Sequence, residues 1–314
     1  MKLVVTGALG HIGSRLIRDL PELQPDLEVV LVDNMLSQRY SSLFNLPARA
    51  RYKFIEADVT KTNLRAILTG ADVVIHLAAI TDATSSFDNK DLVEQNNFEA
   101  TRCVAEAAGE AGSALIHLSS TSVYGMQTAV VDEDCDAAGL RPQSPYAETK
   151  LKEEALVKEM SAAGLKAVIC RFGTIFGPSP GMRFHTAVNK FCWQAVMGQP
   201  LTVWKTAYDQ RRPYLDLGDA VRAISFFIER DLFDGRIYNV LTQNATVREV
   251  VDHVRPHVPD LNVQFVNSQI MNQLSYDVSN ARLRAAGFRF SGDMKAGIAE
   301  TIGLLKRSNV LSDM

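Results

Sequence analysis

Apolar positions in the first half of the chain come in short, β-branched runs separated by longer amphipathic stretches. The runs "KLVVT" (2–6), "EVVLVD" (28–33), "YKFIEAD" (52–58), "DVVIHLA" (72–78), "ALIHLSS" (114–120) and "KAVICRF" (166–172) are nearly continuous rather than alternating. They predict parallel strands buried on both faces, with helices between them, notably over 90–110 and 145–161. This is the pattern of an α/β, Rossmann-type doubly wound parallel sheet, in which ligands lie beyond the carboxyl ends of the strands. From about residue 176 the pattern mixes helices (184–197, 219–230, 246–257, 279–286, 295–307) with short strands. The expected organisation is a Rossmann domain over 1–175 and a smaller mixed α/β lobe over 176–314. A segment near 210–240 is expected to return to the main sheet.

Composition narrows the partners. The 314 residues carry a net charge of −3 with no basic stripe, which argues against nucleic acid. No run of eighteen or more apolar residues predicts a membrane span, and "MKLVVTGALGHIG" is too short and glycine-broken for a signal peptide. Cys103, Cys135, Cys170 and Cys192 lack metal-site spacing, so free thiols in a cytoplasmic protein are expected and no metal site is predicted.

The stretch "KLVVTGALGHIGSRLI" places Gly7, Gly10 and Gly13, with His11 and Ile12 between them, after a strand and at the opening of a helix. Such glycines permit a tight turn and close approach of a pyrophosphate to helix amides. Twenty residues beyond Gly13, "VVLVDN" ends in Asp33 and Asn34. A carboxylate there accepts ribose hydroxyls and repels a 2′-phosphate, favouring NAD, while nearby Arg39 leaves NADP open. Asp58 and Val59 at the third strand end are candidates to meet an adenine. Leu77, Ala78 and Ala79 at the fourth leave room for the dinucleotide backbone. His76 and His117, inside apolar strands, are read as core histidines rather than ligands.

The catalytic candidate is "SPYAETKLKEEA". Ser144 reads as an N-cap and Pro145 as the first helical residue, so Tyr146 and Lys150 fall four apart on one helical face. A phenol titrates near pH 10, about three units too high for a base at neutral pH. An ammonium beside it and the charge of an oxidised nicotinamide both favour phenolate. The same spacing is also compatible with an ordinary amphipathic helix face.

Taken together, "TGALGHIG", Asp33, "HLAA", "NNFEAT", "SSTSVYG", "PYAETK" and "RFGTIFGP" resemble the extended short-chain dehydrogenase/reductase family, specifically its NAD-dependent nucleotide-sugar epimerase/dehydratase branch. The resemblance continues through "QRRPYLDLGDA", "YNVLTQNATVREVV" and "SYDVSNARLRAAGF". It implies Tyr146 as acid/base, Lys150 as its partner and ribose ligand, and Ser120 as the hydroxyl holding the substrate oxygen. It implies Ser119 on the cofactor side and Asn97 supporting the nearby backbone, with Phe172 where the chain passes the nicotinamide. Thr81, Thr174, Asn189 and Arg212 are the implied substrate contacts, Arg212 at a diphosphate or else in a surface ion pair. Arg183 and His185 are further cleft candidates, and Trp204 packs either near the base or in the lobe core. A homodimer through helices 90–110 and 145–161 is also implied.

Departures from the family pattern select among reactions. Water-eliminating relatives carry acidic residues just after the catalytic hydroxyl, and decarboxylating ones a glutamate; here those positions are Thr121 and Ser122. Neither titrates usefully, so elimination is disfavoured unless a carboxylate arrives from elsewhere in the fold. Thr174 replaces an asparagine common in relatives. The first reading is a nucleotide-sugar 4-epimerase using NAD by reversible hydride transfer. A dehydrogenase or ketoreductase of a sugar nucleotide or other small hydroxy compound is second, a dehydratase third, and a non-catalytic dinucleotide sensor last.

Overall fold

The computed structural model describes residues 1–24, 26–81, 90–127, 129–267 and 275–308. Its strands β1 (Lys2–Thr6), β2 (Glu28–Asp33), β3 (Arg51–Glu56), β4 (Val73–His76), β5 (Ala114–Ser120) and β6 (Ala167–Phe172) follow the apolar runs to within one or two residues at each end. The next strands are β7 (Thr174–Phe176), β8 (Leu201–Trp204) and β9 (Arg211–Asp216), all in the lobe. They are followed by β10 (Asp234–Val240), β11 (Gln243–Thr246) and β12 (Val263–Val266). The central sheet has seven strands in the order β10-β6-β5-β4-β1-β2-β3, every neighbouring pair parallel. The order reverses between β1 and β4, and the crevice of a doubly wound sheet opens at that point.

Side chains alternate across this sheet, which is why both faces needed apolar residues. Leu3 and Val5 of β1 join the layer under α1 (His11–Leu23) and α6 (Leu217–Glu229). Val4 joins the opposite layer, under α2 (Leu64–Leu68), α3 (Lys90–Ala111) and α4 (Pro145–Ala162). At about 25 cal/mol per Å² of apolar surface, each such wholly buried side chain is worth about 1.5–3 kcal/mol.

The remaining elements form a separate core around Phe176, Val250 and Ile298, built by α5 (Ala187–Val196), α7 (Val247–Val254) and α9 (Met294–Lys306). Strands β11-β9-β7 make a three-stranded sheet there, and β12 pairs with β8. The short α8 (Ala281–Ala285) packs on β10. The chain crosses between the two cores more than once. β9 belongs to the lobe, α6 packs against α1, and β10 becomes the edge strand beside β6. Among the described residues no helix is long and apolar enough to cross a membrane, and no acidic, histidine and cysteine cluster has the makings of a metal site. All four cysteines are free thiols.

Candidate active site

The β1–α1 turn closes only with glycine. Gly7 has φ +66°, and a Cβ there would stand 2.7 Å from the backbone of Ala78; a Cβ on Gly13 would stand 2.5 Å from the Gly7 carbonyl oxygen. The β4 strand end therefore lies directly against the turn, and the first amides of α1 open into the crevice. At the end of β2, Asp33 accepts hydrogen bonds from the amides of Leu9 and Met35, both at 3.0 Å. Its carboxylate thus locks the glycine turn while lining a cavity of about 120 Å³ with Gly7, Gly10, Asn34 and Arg39. Asp58, Val59, Ala78 and Ala79 complete that cavity. A cradle that any Cβ would fill, a helix N-terminus and a carboxylate lining the cavity at the second strand end fit the adenosine and pyrophosphate of a dinucleotide.

A wider cleft of about 420 Å³ continues from this cavity between sheet and lobe. His11, Ile12, Gly13 and Leu77 line it on the glycine side, and Ser120, Tyr146, Lys150 and Phe172 form its floor. Thr81, Thr174, Trp204 and Arg212 face it from the other side, together with Arg183 and His185. Arg183 reaches both cavities and donates to the Thr81 hydroxyl.

The floor is set by the first turns of α4. Ser144 caps the helix by accepting from the Ala147 amide at 3.2 Å, and Pro145 occupies the first position. Tyr146 and Lys150 then share a face, with the ammonium 5.8 Å from the centre of the tyrosine ring. Ser120 ends β5 and caps the turn Thr121–Tyr124; its Oγ accepts from the Ser122 amide at 3.2 Å and the Ser122 hydroxyl at 2.9 Å. With both acceptor positions filled from below, the Ser120 proton is left for a ligand.

Some predicted contacts do not face the cleft. The Asn97 carboxamide is spent on the backbone of Ile80, accepting from its amide and donating to its carbonyl, both at 2.8 Å. It supports the strand end beside the crevice without lining it. Asn189 is fully buried, accepting from the Gly177 amide and donating to the Arg183 carbonyl, so it shapes the loop before α5 rather than meeting a substrate. Ser119 reaches the cleft wall, but its hydroxyl points back and donates to Glu154 at 2.5 Å.

Behind the floor lies a buried polar network that sequence reading missed. Tyr146, Lys150, Glu153 and Glu154 fall at i, i+4, i+7 and i+8, a single helical face, and that spacing was the available signal. Glu154 accepts Arg171 Nε at 2.8 Å and Nη2 at 2.7 Å in a buried two-point ion pair. Glu153 accepts Lys150 Nζ at 2.7 Å and the Thr101 hydroxyl at 3.0 Å on the same oxygen, with His117 Nε2 at 3.4 Å. His76 sits between Thr6, at 2.8 Å, and Thr101, at 3.3 Å. Both core histidines are thus buried as expected, but His117 packs beside a carboxylate without a hydrogen bond to either ring nitrogen.

Burial dominates the electrostatics. It pushes the Tyr146 phenol above its ordinary range; Lys150 and Arg183 pull it down, and Glu153 adds to the rise. The sequence expectation of a more acidic phenol counted Lys150 and a cofactor charge, and left out burial and Glu153. Burial also opposes the Lys150 ammonium, but Glu153 overcomes it and holds Lys150 above the usual lysine range. Burial lowers His11 to about 4 and His76 to about 3, so both are neutral at pH 7. Among the described residues lining the wide cleft, none is a carboxylate, while Lys150, Arg183, Lys190 and Arg212 are cations.

The sequence profile of the NAD dependent epimerase/dehydratase family matches residues 3–240. The chain is 32% identical over 262 residues to the uncharacterized UDP-glucose epimerase YtcB of Bacillus subtilis, covering 80% of each. It is 28% identical to the trifunctional UDP-glucose 4,6-dehydratase/UDP-4-keto-6-deoxy-D-glucose 3,5-epimerase/UDP-4-keto-L-rhamnose-reductase RHM2 of Arabidopsis thaliana. That match covers 96% of this chain but spans only 46% of the plant protein. Among solved structures, MoeE5 in complex with UDP-glucuronic acid and NAD superposes with a TM-score of 0.85 at 27% identity, over 98% of this chain and 100% of the other. A glycine turn, a carboxylate at the end of β2 lining the adjoining cavity and a Ser-Tyr-Lys floor stand together under a profile that spans residues 3–240. The chain therefore belongs to the NAD dependent epimerase/dehydratase family, enzymes of the extended short-chain dehydrogenase/reductase type.

Proposed function

We propose that this protein is a nucleotide-sugar 4-epimerase that works by reversible oxidation of a secondary alcohol. The observation that carries this reading is the chemistry of the wide cleft: hydroxyls and cations, with no carboxylate among its described lining residues. Eliminating water across a sugar needs a further acid or base beside the reacting carbons, and Thr121 and Ser122 supply none. Thr121 instead donates to the Phe172 carbonyl at 3.3 Å. Epimerisation needs only a hydroxyl to hold the sugar oxygen and one group to take and return its proton. Ser120 holds that oxygen, Tyr146 moves the proton, and Lys150 fixes the ribose and the charge beside Tyr146. Bound NAD supplies the reversible hydride acceptor. Arg212, Arg183 and Lys190 fit the charge of a nucleoside diphosphate, and the relatives' names support a UDP sugar.

The test is incubation of the purified protein with UDP, GDP, CDP and dTDP sugars, with sugar analysis of the products. C4 epimers formed without added cofactor support the reading, and Y146F should lower turnover about 10²–10⁴-fold. Full activity of Y146F would overturn the mechanism, and a 4-keto-6-deoxy product would assign the dehydratase chemistry named for the plant relative. A homodimer through α3 and α4 accompanies this reading. Leu92 is exposed on α3, and sedimentation should give twice the 34.6 kDa of one chain.

A further inference from the structure

Glu153 is a wholly buried carboxylate one helical turn behind the cleft floor, where two donors and a neutral imidazole converge on it from three elements. Lys150 comes from its own helix, Thr101 from α3 and His117 from β5. All three approach Oε2, whereas Oε1 has no hydrogen-bond partner. One consistent set of protons runs from the Thr6 hydroxyl to His76 Nδ1, from His76 Nε2 to Thr101, and from Thr101 to Glu153. Burial pushes the Glu153 carboxyl up, and Lys150 and Thr101, both on the oxygen that faces Lys150, pull it back toward the charged form.

The surrounding charges balance in pairs. Lys150 faces Glu153, and Arg171 on β6 faces Glu154. Burial holds His76 and His117 neutral. Outside this set, Arg183 approaches Tyr146 from the cleft side. A buried ammonium alone beside a phenol would draw the phenol toward phenolate. Here that ammonium is already matched by a carboxylate at 2.7 Å.

We propose that Glu153 is a positioning residue for the reaction: it pins Lys150 in place and cancels its charge, so that Tyr146 stays a protonated phenol until a further positive charge enters the cleft. Tyr146 then rests as an acid and becomes a base only in the loaded site. This rests on Tyr146 and Lys150 being the proton-moving pair proposed above. The directions fit, since Glu153 raises both Tyr146 and Lys150. Removing its charge lets the first proton leave the Tyr146–Lys150 pair at lower pH, whichever of the two groups releases it.

The experiment is a titration of the near-ultraviolet tyrosinate band in purified protein, with the Y146F titration subtracted so that the Tyr146 contribution remains. In E153Q the Tyr146-dependent transition should move to lower pH by about one unit, and the pH profile of sugar turnover should move the same way. E153D keeps the charge but withdraws it by one methylene; it should titrate between wild type and E153Q, and it provides the test by itself if E153Q does not fold. Coincident transitions in wild type and the Glu153 variants would overturn the proposal, as would a uniform loss of activity at every pH with no displacement. Retained activity in Y146F would instead overturn the proposed function, so the two failures are distinguishable.

Discussion

The Ser122 hydroxyl donates to Ser120 Oγ at 2.9 Å, so one serine orients the other and leaves the Ser120 proton facing the cleft. Ser120→Ala removes the donor to the sugar oxygen and should lower kcat about 10²-fold. Ser122→Ala leaves the Ser122 amide still bonded to Ser120 and should cost only a few-fold. Steady-state kinetics on the identified sugar check this. Equal losses in the two variants would place the substrate contact elsewhere.

Asp33 has two duties, holding the Leu9 and Met35 amides and presenting charge to the cavity that also contains Arg39. Asp33→Asn keeps an acceptor but removes the repulsion toward a 2′-phosphate. The ratio of NAD to NADP affinity, measured by calorimetry, should fall about tenfold or more, equivalent to about 1.4 kcal/mol. An unchanged ratio would mean that Asp33 serves the turn alone.

Glu154 and Arg171 form a buried two-point pair away from the reacting atoms, and Ser119 also donates to Glu154. Glu154→Gln strands the Arg171 guanidinium and should cost about 3–5 kcal/mol of stability. Urea unfolding reads this directly. A loss under 1 kcal/mol would show that water or a rearranged neighbour solvates Arg171.

His11 and His76 titrate near 4 and 3 in the folded protein, against about 6.5 when unfolded. The unfolded chain therefore binds more protons between those values. The stability from keeping each ring neutral is complete above pH 6.5 and is lost as pH falls toward its folded value. Each histidine contributes a slope approaching about 1.4 kcal/mol per pH unit below 6.5. Urea unfolding at about pH 7, 6 and 5 should show the decline, and His76→Asn should make it shallower. An identical slope in His76→Asn would remove His76 from this account.

The parts of the site legible in the sequence were those confined to one strand end or one helix turn. Gly7, Gly13, Asp33 and the Tyr146–Lys150 spacing depend on local geometry, and the structure gathers all of them along one continuous crevice. Asn189 was less legible because its polarity suits a loop staple as well as a ligand, and only the positions of Gly177 and Arg183 distinguish the two. Glu153 and Glu154 are not singled out in the sequence, since what makes them buried partners is the tertiary placement of Arg171 on β6, His117 on β5 and Thr101 on α3.

The sequence alone determined the doubly wound sheet, because continuous apolar runs have no stable alternative to burial on two faces. It also determined the glycine turn, whose close approaches no other residue permits. Tertiary structure alone decided which cations share the wide cleft, where the chain crosses between cores, and how charge is balanced behind Tyr146. Those depend on residues far apart in sequence, at distances where an ångström changes the interaction, and in a buried setting where low dielectric makes each unmatched charge costly.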